Sequence, residues 1–237
     1  MSNKYFVIYQ EIAKQIEEGR WKSEQLLPSE NELKDTYQTS RETIRKALNL
    51  LSQNGYIQKV RGKGSVVIPR NKYDFPVSGL VSFKELADKM GSKPKTTVEK
   101  LSLVTSTNFI KQQLQLSSNQ AIWEVIRVRE LEENKVILDK DFFIKDYVPH
   151  LTEEICSDSI YAYLEGELGL TISFAKKEIT IDEPTKEDRE LLDLEGFHTI
   201  VVIKNYVYLD DASLFQYTES RHRPDRFRFV DFARRHH

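Results

Sequence analysis

The chain has 237 residues, 39% apolar, 11% aromatic and 30% charged, which excludes disordered and collagen-like chains and leaves room, at about 150 residues per domain, for two modest globular domains. No apolar run approaches the roughly 20 residues that span a bilayer, the first residues lack a secretory core, and the single Cys156 excludes an intramolecular disulfide or a cysteine-ligated metal cluster, so a cytoplasmic protein is expected. The formal net charge of −2 hides a split, because residues 1–70 carry 12 Lys and Arg against 8 Asp and Glu, while the remainder carries 23 against 29, the distribution expected if only the first part meets a polyanion.

Tyr5, Ile8, Tyr9, Ile12 and Ile16 recur at intervals of three and four, which predicts an amphipathic helix ending near Gly19. Pro28 resists helix before it, and Ser29 with Glu32 forms a capping box, so a second helix runs from there to about Tyr37. After a turn at Gln38 and Thr39, Ser40 caps a third helix with Ile44, Ala47, Leu48 and Leu51 inward. Gly55 ends it. Two short strands, Tyr56 to Val60 and Ser65 to Ile68, flank a basic tip, Arg61-Gly62-Lys63-Gly64. Three helices and a hairpin in this order describe a winged helix-turn-helix whose third helix enters the major groove.

The outward and N-terminal positions of that third helix hold Arg41, Glu42, Thr43, Arg45, Lys46 and Asn49. Arg41 and Arg45 lie one turn apart and suit guanine edges or phosphates, and Ser29, Ser40 and Thr43 sit near helix N-termini, where phosphate oxygens are favoured. A charged helix face taken alone is more simply read as solvated. Its setting says otherwise. The strings LPSENEL, TSRETIRKALNLLSQNGYI and RGKGSVV resemble the DNA-binding domain of the GntR family of bacterial transcription regulators over about 45 residues. That resemblance implies contacts to DNA from Asn31, Arg41, Thr43 and Arg45, and from Arg61, Gly62 and Lys63 of the wing. Asn31 departs from the Arg often found there.

Residues 70–76 show neither helical nor alternating period and read as a linker between a domain at 1–69 and another at 77–235. His236 and His237 look like the stub of an expression tag and are set aside. In the second domain a helix is predicted from Ser82 to Met90, a strand from Thr97 to Val104 and a helix from Asn108 to Leu116. Further strands are predicted at 122–130, 135–144, 178–182, 199–209 and 213–221, with helices at 158–168 and 186–194. Neighbouring hairpins suggest an α+β domain, an antiparallel sheet with helices on one side.

Period-2 alternation puts Trp123, Val125, Arg127 and Arg129 on one face. Two adjacent guanidiniums, if unpaired, repel and ask for a dianion such as phosphate; the plainer alternative is a pair of rim arginines bridged to acids. Ser159 and Tyr161 begin a helix, Asp139 stands in an apolar run where it would accept hydroxyls, and Gln216 and His222 share a face of the last strand. Each alone has an ordinary reading as a cap, a surface acid, an amide or a satisfied histidine.

This second part resembles the sensor domain of the HutC subfamily of GntR regulators. The resemblance implies a chorismate-lyase-like fold that binds phosphosugars. It assigns the phosphate to Ser82, Phe83, Arg127, Arg129, Ser159 and Tyr161, and the sugar to Asp139. Arg-Pro-Asp-Arg-Phe at 223–227 stands where the subfamily has Arg-Gly-Asp-Arg-Tyr. Gln216 and His222 replace a common Glu and Tyr, which implies a ligand other than an amino-sugar phosphate. Through SGLVSFKELA, ILDKDFF, SIYAYLEGELGL, LFQYTESRHR and RFVDFARR, the chain is similar to the trehalose-responsive members of this subfamily. The similarity implies a homodimeric repressor on an inverted repeat of double-stranded operator DNA, with trehalose 6-phosphate as effector.

An enzyme, a small-molecule lyase of the same fold with a nucleic-acid-binding appendage, is the alternative. The sequence pairs no nucleophile with a base and shows no metal spacing or cofactor motif. An RNA or architectural DNA module is a third reading, but the wing lacks stacking aromatics.

Overall fold

The computed structural model describes residues 3–69, 75–76, 95–227 and 229–230, and it divides into two compact units, Met1–Asp74 with Val230–His237 and Phe75–Phe229. No described helix is long and apolar enough to cross a membrane.

In the first unit, α1 (Lys4–Glu17), α2 (Glu30–Thr36) and α3 (Arg41–Gln53) precede the hairpin of β1 (Ile57–Val60) and β2 (Gly64–Val67). The capping signals act as expected: Ser29 and Glu32 close a full capping box on α2, and Ser40 caps α3. Ile8, Ile12, Ile16, Leu33, Ile44, Ala47, Leu48, Leu51, Ile57 and Val67 form one core. Gly62, at φ +78°, supplies the left-handed backbone of the wing turn. One element was not foreseen: Leu26 bridges Val66, with Leu27 N–H donating to Ser65 O at 2.8 Å and Val67 N–H to Gln25 O at 2.9 Å. The segment before Pro28 thus lies against the wing, satisfying backbone groups that an edge strand leaves open.

The second unit contains one six-stranded antiparallel sheet in the order β4-β5-β6-β9-β8-β7. Its strands are β4 (Lys95–Thr105), β5 (Ala121–Leu131), β6 (Asn134–Ile144), β7 (Ile172–Asp182), β8 (Ile200–Leu209) and β9 (Leu214–His222). Among the described residues four short helices accompany it: α4 (Asn108–Gln113), α5 (Glu153–Ser157), α6 (Ile160–Gly166) and α7 (Lys186–Leu191). The two-residue strands β3 (Phe75–Pro76) and β10 (Phe229–Val230) pair with each other.

Four sequence expectations require correction. The strand predicted at 178–182 begins at Ile172, because β8 supplies a partner along its whole length. Helix 186–194 stops at Leu191, since Leu192 is extended (φ −116°, ψ 147°). Helix α5, capped by Thr152, lies in a stretch assigned no element.

Finally, elements pack on both faces of the sheet. Val125, Phe143 and Val207 contact Cys156, Ile160 and Leu164 on one face. On the other, Ile126, Val128 and Val202 meet Leu192 and Leu194, while Ile122, Ile144 and Tyr217 meet Ile110 and Leu114. The near-continuous apolar runs in β5 and β6 are what a strand buried on both sides requires. The helix predicted at 82–90 and residues 70–74 of the predicted linker lie outside the described residues.

Candidate functional site

In the first unit, the outer face of α3 is organised by a carboxylate from α2. Arg41 Nε donates to Glu30 Oε2 at 2.9 Å, and Arg45 Nη2 to the same oxygen at 3.4 Å. The Arg41 hydrogen bond, with help from Arg45 and against some burial, holds the Glu30 carboxyl below its ordinary value. Both guanidiniums remain open to solvent, with side chains 61% and 48% exposed.

Ser40 Oγ accepts the Thr43 N–H at 3.1 Å and lies 2.8 Å from the Thr43 hydroxyl. Ser29 Oγ accepts from Glu32 N–H at 3.3 Å. Asn31, Glu42, Lys46, Arg61, Gly62 and Lys63 are exposed. Lys59 Nζ donates to Asn49 Oδ1 at 2.6 Å, tying the root of the wing to α3. Neither Glu30 nor Lys59 was singled out from the sequence. Glu30 sits inside the LPSENEL string, one residue after the cap, and its position at the start of α2 is the signal that was available.

In the second unit, the strand register lines up a polar stripe across one face. Arg127 faces Asp139 on β6, and Asp139 faces Ser220 on β9. The hydrogen bonds run diagonally. Arg127 Nη2 donates to Asp141 Oδ2 at 2.6 Å, and Arg129 Nε to Asp139 Oδ2 at 3.0 Å. Arg127 Nη1 also reaches Cys156 O at 3.3 Å, and Arg129 Nη1 reaches Thr96 Oγ1 at 2.6 Å.

Both arginines are buried, at 7% and 4% exposure. The guanidiniums are paired with acids, as in the plainer sequence reading, which corrects the unpaired one, but they are buried and not on a rim. Buried charges are retained only when paired and hydrogen-bonded, and the two aspartates supply that. Burial would raise the Asp139 carboxyl, but Arg129 and Arg127 outweigh it and hold it low. Burial, together with Arg127, lowers Arg129 from its ordinary value.

The other candidates join the same network. Gln216 Nε2 donates to Asp141 Oδ1 at 3.0 Å and to Thr218 Oγ1 at 2.9 Å, and Tyr161 O–H donates to Gln216 Oε1 at 3.0 Å. Burial pushes the Tyr161 hydroxyl well above its ordinary value. Ser220 O–H donates to Asp139 Oδ1 at 2.5 Å and its oxygen lies 2.9 Å from His222 Nε2. Burial, opposed by Asp139, lowers the His222 imidazole to about 4.

Arg127, Arg129, Asp139, Tyr161, Gln216 and His222 are thus brought together. Ser159 instead caps α6, accepting from Ala162 N–H at 3.3 Å. Ser82 and Phe83 lie outside the described residues. Sequence reasoning missed Asp141, Thr218, Ser220 and Thr96; the first three share strand parity with residues already chosen, which was the signal. Cys156 is buried and its thiol is pushed up to about 11, chiefly by burial, which makes it a poor nucleophile. No group of three or more metal-ligating side chains occurs among the described residues.

Residues 4–67 match the bacterial regulatory proteins of the gntR family, and residues 89–228 match the UTRA domain. Over 98% of both chains, this chain is 63% identical to the HTH-type transcriptional regulator TreR of Bacillus subtilis (strain 168). It belongs to the GntR family.

This GntR regulator is similar in structure to YydK of Bacillus subtilis, a possible transcriptional regulator, at 29% identity and a TM-score of 0.79, covering 98% of this chain and 99% of that one. Its second unit is similar to the effector binding domain of the Bacillus subtilis trehalose repressor, at 59% identity and a TM-score of 0.57, covering 60% of this chain and 99% of that one. A gntR-type DNA-binding domain joined to a UTRA domain is the HutC-like arrangement. The family is regulatory, so this GntR regulator is a DNA-binding transcription factor with an effector domain and not a lyase.

Proposed function

We propose that this chain represses a trehalose-utilisation operon in the cytoplasm and leaves its operator when a sugar phosphate, trehalose 6-phosphate, binds the second unit. The observation that carries the reading is the 63% identity to TreR along 98% of the chain. Two buried arginines and two buried aspartates, hydrogen-bonded with Thr96, Tyr161, Gln216, Thr218, Ser220 and His222 in one network, supply matching chemistry. Guanidiniums suit an anionic ester, and carboxylates and amides suit hydroxyls.

In this reading the chain works as a homodimer. Two winged helices read an inverted repeat whose spacing follows the dimer symmetry. Arg41 and Arg45 reach base edges or phosphates. Ser29, Asn31, Ser40, Glu42, Thr43 and Lys46 line the backbone on either side, and Arg61, Gly62 and Lys63 follow the minor groove or its phosphates. Arg127 and Arg129 hold the anionic group with Tyr161 and the start of α6 at Ser159, joined by Ser82 and Phe83. Asp139, Gln216 and His222 face the sugar. The effector acts because it binds the DNA-free arrangement more tightly, and a coupling of about 1–3 kcal/mol is typical of such linkage.

A gel shift on the DNA upstream of the protein's own gene tests this, with trehalose 6-phosphate, glucose 6-phosphate and inorganic phosphate added in turn. Retardation that trehalose 6-phosphate alone relieves supports it. Retardation indifferent to every sugar phosphate refutes the effector assignment, and no retardation refutes the operator. Arg129→Ala is expected to bind the operator and to resist release.

A further inference from the structure

Asp141 is 2% exposed and sits at the junction of three elements. Its Oδ2 accepts from Arg127 Nη2 on β5 at 2.6 Å, and its Oδ1 accepts from Gln216 Nε2 at 3.0 Å and Thr218 Oγ1 at 2.9 Å, both on β9. Gln216 in turn holds Tyr161 of α6 at 3.0 Å. The buried Nε of Arg127 has no hydrogen-bond partner. A buried donor on a charged group left unmet is costly, and here it belongs to the guanidinium whose Nη2 Asp141 already holds.

The charges of the four central groups cancel, Arg127 and Arg129 against Asp139 and Asp141. An anion entering this cluster therefore finds no net positive charge. Added without rearrangement, a phosphate dianion would leave a net charge of about −2 in a medium of low effective dielectric, where like charges a few ångströms apart repel by several kcal/mol. One carboxylate has to give way.

If Asp139 left Arg129 it would keep one neutral donor, the Ser220 hydroxyl on β9, whereas Asp141 would keep two, Gln216 and Thr218. Asp141 already has one oxygen on two neutral donors of β9, so it can leave Arg127 without becoming an unpaired buried charge.

We propose that Asp141 is an internal counter-anion of the effector site: it occupies Arg127 in the empty state, and an incoming anionic group takes Arg127 from it while its carboxylate stays on Gln216 and Thr218. This rests on the reading above, that the anion binds at Arg127 and Arg129. The exchange sets specificity, because a bare anion must displace Asp141 unaided, whereas an anion carrying hydroxyls gains compensating contacts. It also carries the signal, because a turn of Asp141 shifts the Gln216 amide that holds Tyr161 and hence α6.

The test is calorimetric titration of the full-length protein with inorganic phosphate and with trehalose 6-phosphate, thermal unfolding serving to check that each variant is folded. Asp141→Asn removes the competing charge and is expected to bind inorganic phosphate about tenfold more tightly than the parent or better, narrowing the preference for the sugar ester. A purely structural residue would lose affinity instead. Thr218→Val removes part of the resting place of Asp141 and is expected to weaken anion binding severalfold when Asp141 is present and to have no effect beside Asp141→Asn. Unchanged or weaker anion binding by Asp141→Asn, with Arg129→Ala abolishing it, overturns the proposal and leaves the effector site standing. If the parent and Asp141→Asn both fail to take up either anion, the site reading itself falls.

Discussion

The two arginine pairs of the candidate sites are each held by carboxylates, and they differ in almost everything else. Arg41 and Arg45 share one oxygen of Glu30 on an open helix face, about half exposed. Arg127 and Arg129 each have their own aspartate, inside a sheet, with side chains 9% and 5% exposed. An exposed pair is screened by water and contributes about 0–1 kcal/mol, so in the proposed function DNA claims those guanidiniums at small expense while Glu30 keeps their forks oriented. A buried pair is hard to disturb: removing one partner costs about 3–5 kcal/mol because the other charge is stranded. The lesson concerns selectivity. In the proposed function, a surface that meets many phosphates quickly keeps its arginines loosely held, and a site that responds to one small molecule keeps them occupied until a better partner arrives.

That contrast makes graded predictions. The largest effect belongs to Asp139→Asn, which strands Arg129 and should lower the stability of the second unit by about 3–5 kcal/mol in a urea titration; a loss under about 1 kcal/mol would mean the buried pair behaves like the exposed one.

Next comes pH. His222, lowered to about 4 by burial, is neutral in the folded protein while an unfolded imidazole titrates near 6.5. The unfolded chain therefore takes the proton first as pH falls. The stability due to neutral His222 is complete above about 6.5 and is lost progressively towards about 4. Denaturation at a series of pH values should show this slope, and His222→Gln should flatten it. The Asp139 carboxyl, held low, loses its contribution only below its ordinary range near 3.8 and does not mask the window.

Arg45→Ala should weaken specific operator binding by about 1–3 kcal/mol in a gel shift and leave thermal stability nearly unchanged; unaltered operator affinity would remove α3 from the reading surface. The smallest change is expected of Glu30→Gln, under about 1 kcal/mol in stability. Its interest is that operator selectivity should fall through loosened forks on Arg41 and Arg45, measured as a smaller ratio of specific to non-specific affinity.

Much of the first unit was legible in the linear order. Ser29 with Glu32 and Ser40 with Thr43 are local devices, and each acts within four residues of itself. The inward stripe Ile44, Ala47, Leu48 and Leu51 is a local period that the core uses as written. Less of the second unit could be read. Strand parity placed Arg127 and Arg129 together, and Gln216 with His222, but parity says nothing of which strand lies beside which. The order β6-β9-β8 brings residues about 80 positions apart into contact, as in Asp139 with Ser220. Hence Asp141, Thr218 and Ser220 were invisible as partners although each belonged to a stretch already singled out.

The chain by itself determined its elements, its caps, the basic front end and the face on which each arginine stands, because those depend on spacing over a few residues. Tertiary structure alone decided that the sheet is covered on both sides, that Glu30 serves two guanidiniums, and that Asp139 and Asp141 neutralise two more. Burial and strand neighbours are properties of the whole packing, and they govern whether a pair of charges is a loose surface feature or a fixed interior one.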